Sequence, residues 1–195
     1  MDFLRSIDIS LLLFFNGFHN DMLDFIMWWA SNKWIWLPLY TYLAFFLYRK
    51  YPQQTIPLLI FAAVLISLSD QLTSSVIKNT MMRLRPCHNP NIAEQLHIVN
   101  GYCGGQYGFV SSHASNCFAL VTFLVLLFKK EFKGLQWTLL GWALLVSYSR
   151  IYLAAHYPSD VFCGAVFGSI LAVLVFSFYQ FYCSYFTKNR PLTKP

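Results

Sequence analysis

Residues 149–160 read SRIYLAAHYPSD, and how they are read decides the fold. An apolar run ends on Arg150 and another opens after Pro158, so the stretch is a turn between two helices. Tyr157 precedes a proline and is pushed out of helical geometry, while Pro158 suits the first position of the helix that follows. His156 then sits just before that helix and Asp160 falls in its first turn. A carboxylate there can accept a hydrogen bond from one imidazole nitrogen, which leaves the other nitrogen presenting its lone pair to a substrate.

Outward from this turn, the chain of 195 residues is 57% hydrophobic and only 11% charged, against roughly 25% charged in soluble domains. That composition points to lipid, and the length to a single integral membrane domain over residues 1–195. The formal net charge of +6 lies in short clusters between apolar runs instead of a stripe or tail, which argues for membrane topology and against nucleic acid. Five cysteines without a CxxC give neither a zinc nor a thioredoxin pattern.

A spanning helix needs about 20 largely apolar residues. Five stretches fit: Trp34 to Tyr48, Ile56 to Ile77, Ser112 to Phe128, Leu135 to Tyr152 and Val161 to Phe186. Trp34, Trp36, Tyr48 and Tyr51 bracket the first as an aromatic belt would. The expected fold is all-α, a polytopic transmembrane bundle of five spans. Residues 1–31 are interrupted by Asp8, Asn16, His19, Asn20, Asp21 and Asp24. They read as amphipathic interfacial helices, with a sixth, broken span as the alternative. The short apolar core LLLFF at 11–15 has no small-residue cleavage site after it, so a cleaved signal peptide is not expected.

With five alternating spans, Arg49 and Lys50, then Lys129, Lys130 and Lys133, then Lys188, Arg190 and Lys194 share one side, which the positive-inside rule makes cytoplasmic. Segment 78–111 and the turn 150–160 then lie on the extracytoplasmic side. Lys78, Arg83, Arg85 and Arg150 sit there against the rule. Such charges call for an anionic ligand or, more plainly, for headgroup contact by snorkelling.

Three blocks converge on that side: KNTMMRLRP at 78–86, VSSHASN at 110–116 and the opening stretch. Together they hold the cations Lys78, Arg85 and Arg150, the imidazoles of His113 and His156, the carboxylate of Asp160 and the hydroxyls of Ser111 and Ser112. Guanidinium groups match phosphate oxygens in pairs and lysine acts as a point charge, so the set describes a phosphate cage. Singly, each piece has a plain structural reading: Asp160 complements a helix N-terminus, and Ser111 or Ser112 caps one. It is the combination on one face that points to phosphate.

The spacing Lys78-x6-Arg85-Pro86, then Ser111-Ser112-His113, then Ser149-Arg150-x5-His156-x3-Asp160 resembles the three-part signature of the type 2 phosphatidic acid phosphatase superfamily, whose fold is shared with vanadium haloperoxidases and bacterial acid phosphatases. The middle part departs from the family's Pro-Ser-Gly-His, with Val110 and Ser112 in place of Pro and Gly; Ser112 restricts how a backbone N–H there can approach phosphate.

The resemblance implies metal-independent hydrolysis, without a cofactor, through a phosphohistidine. His156 is the nucleophile, Asp160 its orienting carboxylate and His113 the acid and base. Lys78, Arg85, Arg150, Ser111 and Ser112 bind phosphoryl oxygens. It further implies a multi-pass protein of a bacterial inner membrane, with its site toward the periplasm and a membrane lipid phosphate as partner. Polyprenyl pyrophosphate, phosphatidylglycerol phosphate or phosphatidic acid, and lipid A are the candidate substrates. A lipid phosphotransferase, a vanadate-dependent haloperoxidase and a non-catalytic lipid-phosphate binder use the same cage; five spans argue against the haloperoxidase, whose relatives are soluble.

Around this core, Arg83 is either a second anion contact or a headgroup anchor. Asp70, within an otherwise apolar helix, either pairs with one of the site's cations from below or marks a wet helix end. The polar, glycine-rich loop 87–109 can cover the site. Its two cysteines, Cys87 and Cys103, are free to bond in an exported compartment, and with His88 and His97 they match no zinc spacing.

Overall fold

The structure, a computed structural model, describes residues 2–129 and 131–186. Lys130 and the basic tail with Lys188, Arg190 and Lys194 lie outside the described residues. Among the described residues there are seven helices: α1 (Asp2–Gly17), α2 (Asp21–Ser31), α3 (Leu37–Lys50), α4 (Thr55–Met81), α5 (Ser112–Phe128), α6 (Lys133–Tyr152) and α7 (Pro158–Phe186). No sheet forms among them; a single antiparallel bridge joins Leu84 to Tyr107.

The helix limits follow local chemistry. Asn20 caps α2 by accepting from the Leu23 N–H at 2.9 Å, and Ser111 caps α5 by accepting from Ala114, each satisfying a donor the helix itself cannot. Pro158 opens α7 with Asp160 in the first turn, as its sequence predicts. Two expected limits move. Lys33–Trp36 is a 3-10 turn, so α3 begins at Leu37 and not at Trp34. Helix α4 runs past Ile77 to Met81 and ends on Met82 in the left-handed region, so Lys78 is a helical residue and not the start of the loop.

Helix α5 is the centre of the bundle, burying Ala114, Ser115, Cys117, Ala119, Val121, Phe123, Leu124, Leu127 and Phe128. It runs alongside α7 in the same direction at backbone distance. A Cβ on Gly164 would stand 2.5 Å from the Ser111 carbonyl oxygen, and one on Gly168 would run into that of Ser115. Small residues spaced by four allow this approach. The outer face of α7 is apolar and exposed at Phe162, Val166, Ile170, Leu174, Phe178 and Tyr185, and that of α4 at Ile56, Ile60, Val64 and Leu68. In water such stripes would be a liability; against lipid they are the solvent-facing surface. Helices α4 and α7 are long and apolar enough to cross a membrane, and α5 is a shorter apolar helix.

The two N-terminal helices lie across one end of this bundle. Along α1, Asp8 meets the start of α7 through the Ser159 N–H at 2.9 Å. Leu12 packs among Ile92, Ala114, Ile151, Tyr157 and Val161, and Asn16 donates to the Tyr152 and His97 carbonyls at 2.7 and 2.9 Å. On α2, Met27 packs with Val99, Tyr152 and Leu153. Helix α2, of 11 residues, extends about 17 Å, short of the roughly 30 Å of a hydrocarbon core.

Candidate active site

The site forms where α4, α5, α6 and α7 end together under α1 and α2. Helix α6 stops by folding its chain back. The N–H groups of Ala155 and His156 both donate to the Arg150 carbonyl at 3.1 Å, and Ala154 takes a left-handed conformation, a C-terminal stop of the kind that satisfies orphan carbonyls. Arg150 and His156 are thereby fixed to each other through the backbone. Both are buried, with 2% and 1% of their surface exposed, which for a guanidinium demands partners. Arg150 donates through Nη1 to the Ser31 hydroxyl and lies over the Tyr102 ring at 5.9 Å.

Arg85 is buried as well. Its Nε donates to the Tyr107 carbonyl at 3.2 Å and its Nη1 to the Ala155 carbonyl at 3.3 Å, which brings the first block onto the third. Lys78 donates from Nζ to Ser112 Oγ at 3.0 Å, and Thr73 donates to the same oxygen at 2.9 Å. Ser112, the departure from the family pattern, therefore meets the lysine side chain. A π-helical turn over Leu72–Ile77 precedes Lys78; such a widened turn rotates the side chains after it and recurs at functional sites. The ring of His113 lies against the Ser31 backbone, with Arg150, Lys78 and Arg85 as its charged neighbours.

Asp160 is fully buried. Its Oδ2 accepts from the Tyr157 N–H at 3.0 Å and lies 3.7 Å from His156 Nδ1. Nδ1 has no hydrogen-bond partner among the described residues, so the carboxylate is aimed at it from slightly beyond bonding range, as catalytic pairs often are before substrate arrives. Burial first, then the charges of Arg150, Arg85 and Lys78, hold His156 well below the usual imidazole range, so it is neutral and carries a lone pair. Gly108 closes the other side: a Cβ there would stand 3.1 Å from Asp160 Oδ2, 3.2 Å from Arg85 Cγ and 3.5 Å from His156 Nδ1. The structure thus brings Lys78, Arg85, Ser111, Ser112, His113, Arg150, His156 and Asp160 together at the shared ends of these helices.

Two accessory residues have their own partners. Arg83 is paired with two carboxylates of the chain. Its Nη1 bonds Asp160 Oδ1 at 2.5 Å and its Nη2 bonds Asp8 Oδ2 at 2.6 Å, while its guanidinium stacks over Tyr157 at 4.2 Å. Asp70 is exposed and makes no ion pair within bonding distance among the described residues; its Oδ1 accepts from Asn116 Nδ2 at 3.2 Å, and its charge is among those that act on Lys78. Cys87 and Cys103 form a disulfide that ties the front of the loop to the segment bearing Tyr102 and Gly104. Asp8, Ser31, Tyr102 and Gly108 are site residues that the sequence does not single out. Only the aspartate, charged within an apolar run, carries a local signal.

A family model described as the PAP2 superfamily matches residues 57–182, which contain all three blocks. The chain is 39% identical over 170 residues to the lipid A 4'-phosphatase of Bacteroides thetaiotaomicron, covering 86% of this chain and 75% of that one. It is 35% identical over 183 residues to the lipid A 4'-phosphatase of Porphyromonas gingivalis, covering 93% and 76%. Among solved structures it is similar to a transmembrane PAP2-type phosphatidylglycerolphosphate phosphatase from Bacillus subtilis. The TM-score is 0.68 at 20% identity, over 92% of this chain and 88% of that one, a likeness of fold.

Proposed function

The chain belongs to the PAP2 superfamily and is a membrane lipid phosphatase, and we propose that it removes the 4'-phosphate of lipid A through a phosphohistidine on His156. One observation carries the mechanism: a buried, neutral His156 sits between a carboxylate on its Nδ1 side and three guanidinium or ammonium groups. That arrangement leaves Nε2 as the nucleophile and places positive charge where phosphoryl oxygens gain negative charge. The substrate rests on the two relatives named above, each matched over at least three quarters of its length.

In the first step Nε2 of His156 forms a bond to phosphorus as the bond from phosphorus to the sugar oxygen breaks, and His113 gives that oxygen a proton. In the second, His113 takes a proton from water, the hydroxide attacks phosphorus, and the P–N bond breaks to release inorganic phosphate and free His156. The same residue serves as acid and then base, as microscopic reversibility requires. Arg85, Arg150 and Lys78, the last held by Ser112, bind the phosphoryl oxygens beside the N-terminus of α5, where Ser111 stands. Asp160 stabilises the imidazolium that His156 becomes. PAP2 enzymes carry out this chemistry without a metal.

The reading includes an orientation. Helices α3 to α7 are the five spans of one domain over residues 1–195, and α1 and α2 lie in the interface over the site, which faces the periplasm. Arg49, Lys50, Lys129 and Lys133 sit at the opposite ends of their helices, as the positive-inside rule asks of a cytoplasmic side. An apolar cleft of about 470 Å³, lined by Tyr40, Leu43, Leu59, Leu120 and Trp142, reaches Asn116, one turn from His113. It is suited to an acyl chain entering from the bilayer.

The test is phosphate release by purified protein in detergent with EDTA, from lipid A, polyprenyl pyrophosphate, phosphatidylglycerol phosphate and phosphatidic acid, with mass spectrometry of the lipid product. Release from lipid A at the 4' position, lost in His156→Ala, is the expected result. Preference for another of these lipids would overturn the substrate; release that ignores His156 would overturn the mechanism.

A further inference from the structure

The reacting dyad has a third and a fourth member: Arg83, from within the first block, and Asp8, which lies outside all three. Asp160 offers His156 only one of its oxygens; the other, Oδ1, is held by Arg83 Nη1 at 2.5 Å. Arg83 is held in turn by Asp8, which comes from α1, 75 residues earlier in the chain. Asp8 is 7% exposed and keeps both its oxygens engaged. Oδ1 accepts from the Ser159 N–H at 2.9 Å, and Oδ2 accepts from the Ser159 hydroxyl at 2.5 Å and from Arg83 Nη2 at 2.6 Å. Tyr157 covers the guanidinium face. The run Asp8, Arg83, Asp160 is therefore a fully bonded row of carboxylate, guanidinium and carboxylate that ends on His156.

The charges of this row add to minus one. A carboxylate beside a lone arginine would be neutralised and would have little left for the imidazole; a carboxylate without the arginine would be free to rotate and would more readily take up a proton. Sharing the guanidinium between two carboxylates fixes the orientation of Asp160 while leaving the row a net negative charge to set against the imidazolium that forms in the first step. Resting on the phosphohistidine reading above, we infer that Arg83 and Asp8 are positioning residues for the reaction, acting on His156 through Asp160. The N-terminal helix α1 is accordingly part of the catalytic apparatus and not only a cover.

Opposite shifts of the pH profile distinguish this role from simple support of the fold. Removing the Arg83 cation makes Asp160 easier to protonate, so the acid limb of the kcat profile moves to higher pH. Replacing Asp8 by Asn leaves the whole arginine charge on Asp160, so the acid limb moves to lower pH. A variant that merely loosened the structure would lower the profile without moving its two limbs in contrary directions.

The experiment measures kcat, KM and the pH–rate profile on lipid A in detergent for the wild type, Arg83→Ala, Arg83→Lys, Asp8→Asn and His156→Ala. Groups that orient a reacting residue contribute about 10–100-fold. Arg83→Ala is expected to lose that much in kcat with KM changed less than about twofold, Arg83→Lys to recover most of it, and Asp8→Asn to lose about tenfold. If Arg83→Ala does not fold, Asp8→Asn carries the test, since its acid limb still moves to lower pH. Wild-type kcat in Asp8→Asn, or an Asp8→Asn acid limb that stays in place or moves to higher pH, would overturn the inference while leaving His156→Ala inactive. Activity that survives in His156→Ala would instead bring down the reading on which it rests.

Discussion

The two ends of the α5–α7 pair are built on different principles. At the site end the helices meet through Ser111 and Ser115 against Gly164 and Gly168, and what is buried nearby is polar: Arg85, Ser149, Arg150, His156 and Asp160. At the opposite end the same two helices meet through rings. Phe123 lies 5.6 Å from Phe176 edge to face and 6.2 Å from Tyr179. Dispersion between apolar side chains changes gradually with shape and is spread over many atoms. A buried hydrogen-bonded charge has few partners, and losing one leaves the rest unpaired. The ring end can be repacked, then, whereas the site end is intolerant of single atoms.

The largest effect should come from the site end. Asp160→Asn keeps the shape but gives up the charge opposite His156, and kcat should fall by about a thousandfold or more; retention of most activity would mean that the carboxylate serves only to cap α7. Next, Cys87→Ser with Cys103→Ser releases a loop closed over a separation of 16 residues, which should lower unfolding stability by about 3 kcal/mol, as a denaturant titration would register. Gly108→Ala places a methyl group among Asp160, Arg85 and His156 and should lower kcat by about 10–100-fold, because small displacements of reacting groups are expensive, while the melting temperature changes little.

Smaller effects sharpen the contrast from the other side. Phe123→Leu at the ring end should lower stability by about 1 kcal/mol, since a smaller side chain packs less tightly between helices in lipid, and leave kcat unchanged. The smallest is a pH effect. His156 is held neutral in the folded protein, whereas in the unfolded chain it takes up a proton below about pH 6.5. The unfolded state thus binds more protons there, so stability is complete at neutral pH and declines as the pH falls, by a little under about 1 kcal/mol at pH 6. Melting curves between pH 8 and 6 should show this decline, and it should be reduced in His156→Asn.

The residues of the candidate site that the sequence names are tied to strong local signals. Pro158 places Asp160 in a first turn, and fixed spacings tie Lys78 to Arg85 and Arg150 to His156. Apolar runs locate α4 to α7 to within a few residues, since a helix in lipid must be apolar along its length. What escapes the sequence depends on distant pairings. Asp8 and Ser31 look like polar interruptions of a weak amphipathic segment, and nothing near them in the chain signals Arg83 or Arg150. The two carboxylates that Arg83 meets escape for the same reason. A cation at a helix end looks alike from sequence whether it awaits an anion or already has two. Asp70 reaches its partner Asn116 across to α5, a pairing that its place along α4 does not signal.

The close approach of Gly164 and Gly168 to Ser111 and Ser115 has a bearing on how the protein is made. Helices inserted separately into a bilayer are stable before they meet, and little in the lipid tells them how far to slide past each other. Here the two pairs, each four residues apart, match like teeth of equal pitch, and only one setting lets both pairs touch at once. A slip of one turn would displace His156 from His113 by about 5 Å, leaving two well-inserted helices and no enzyme. Assembly therefore comes with its own alignment mark, and catalytic competence can be gained only after insertion, when that mark is met.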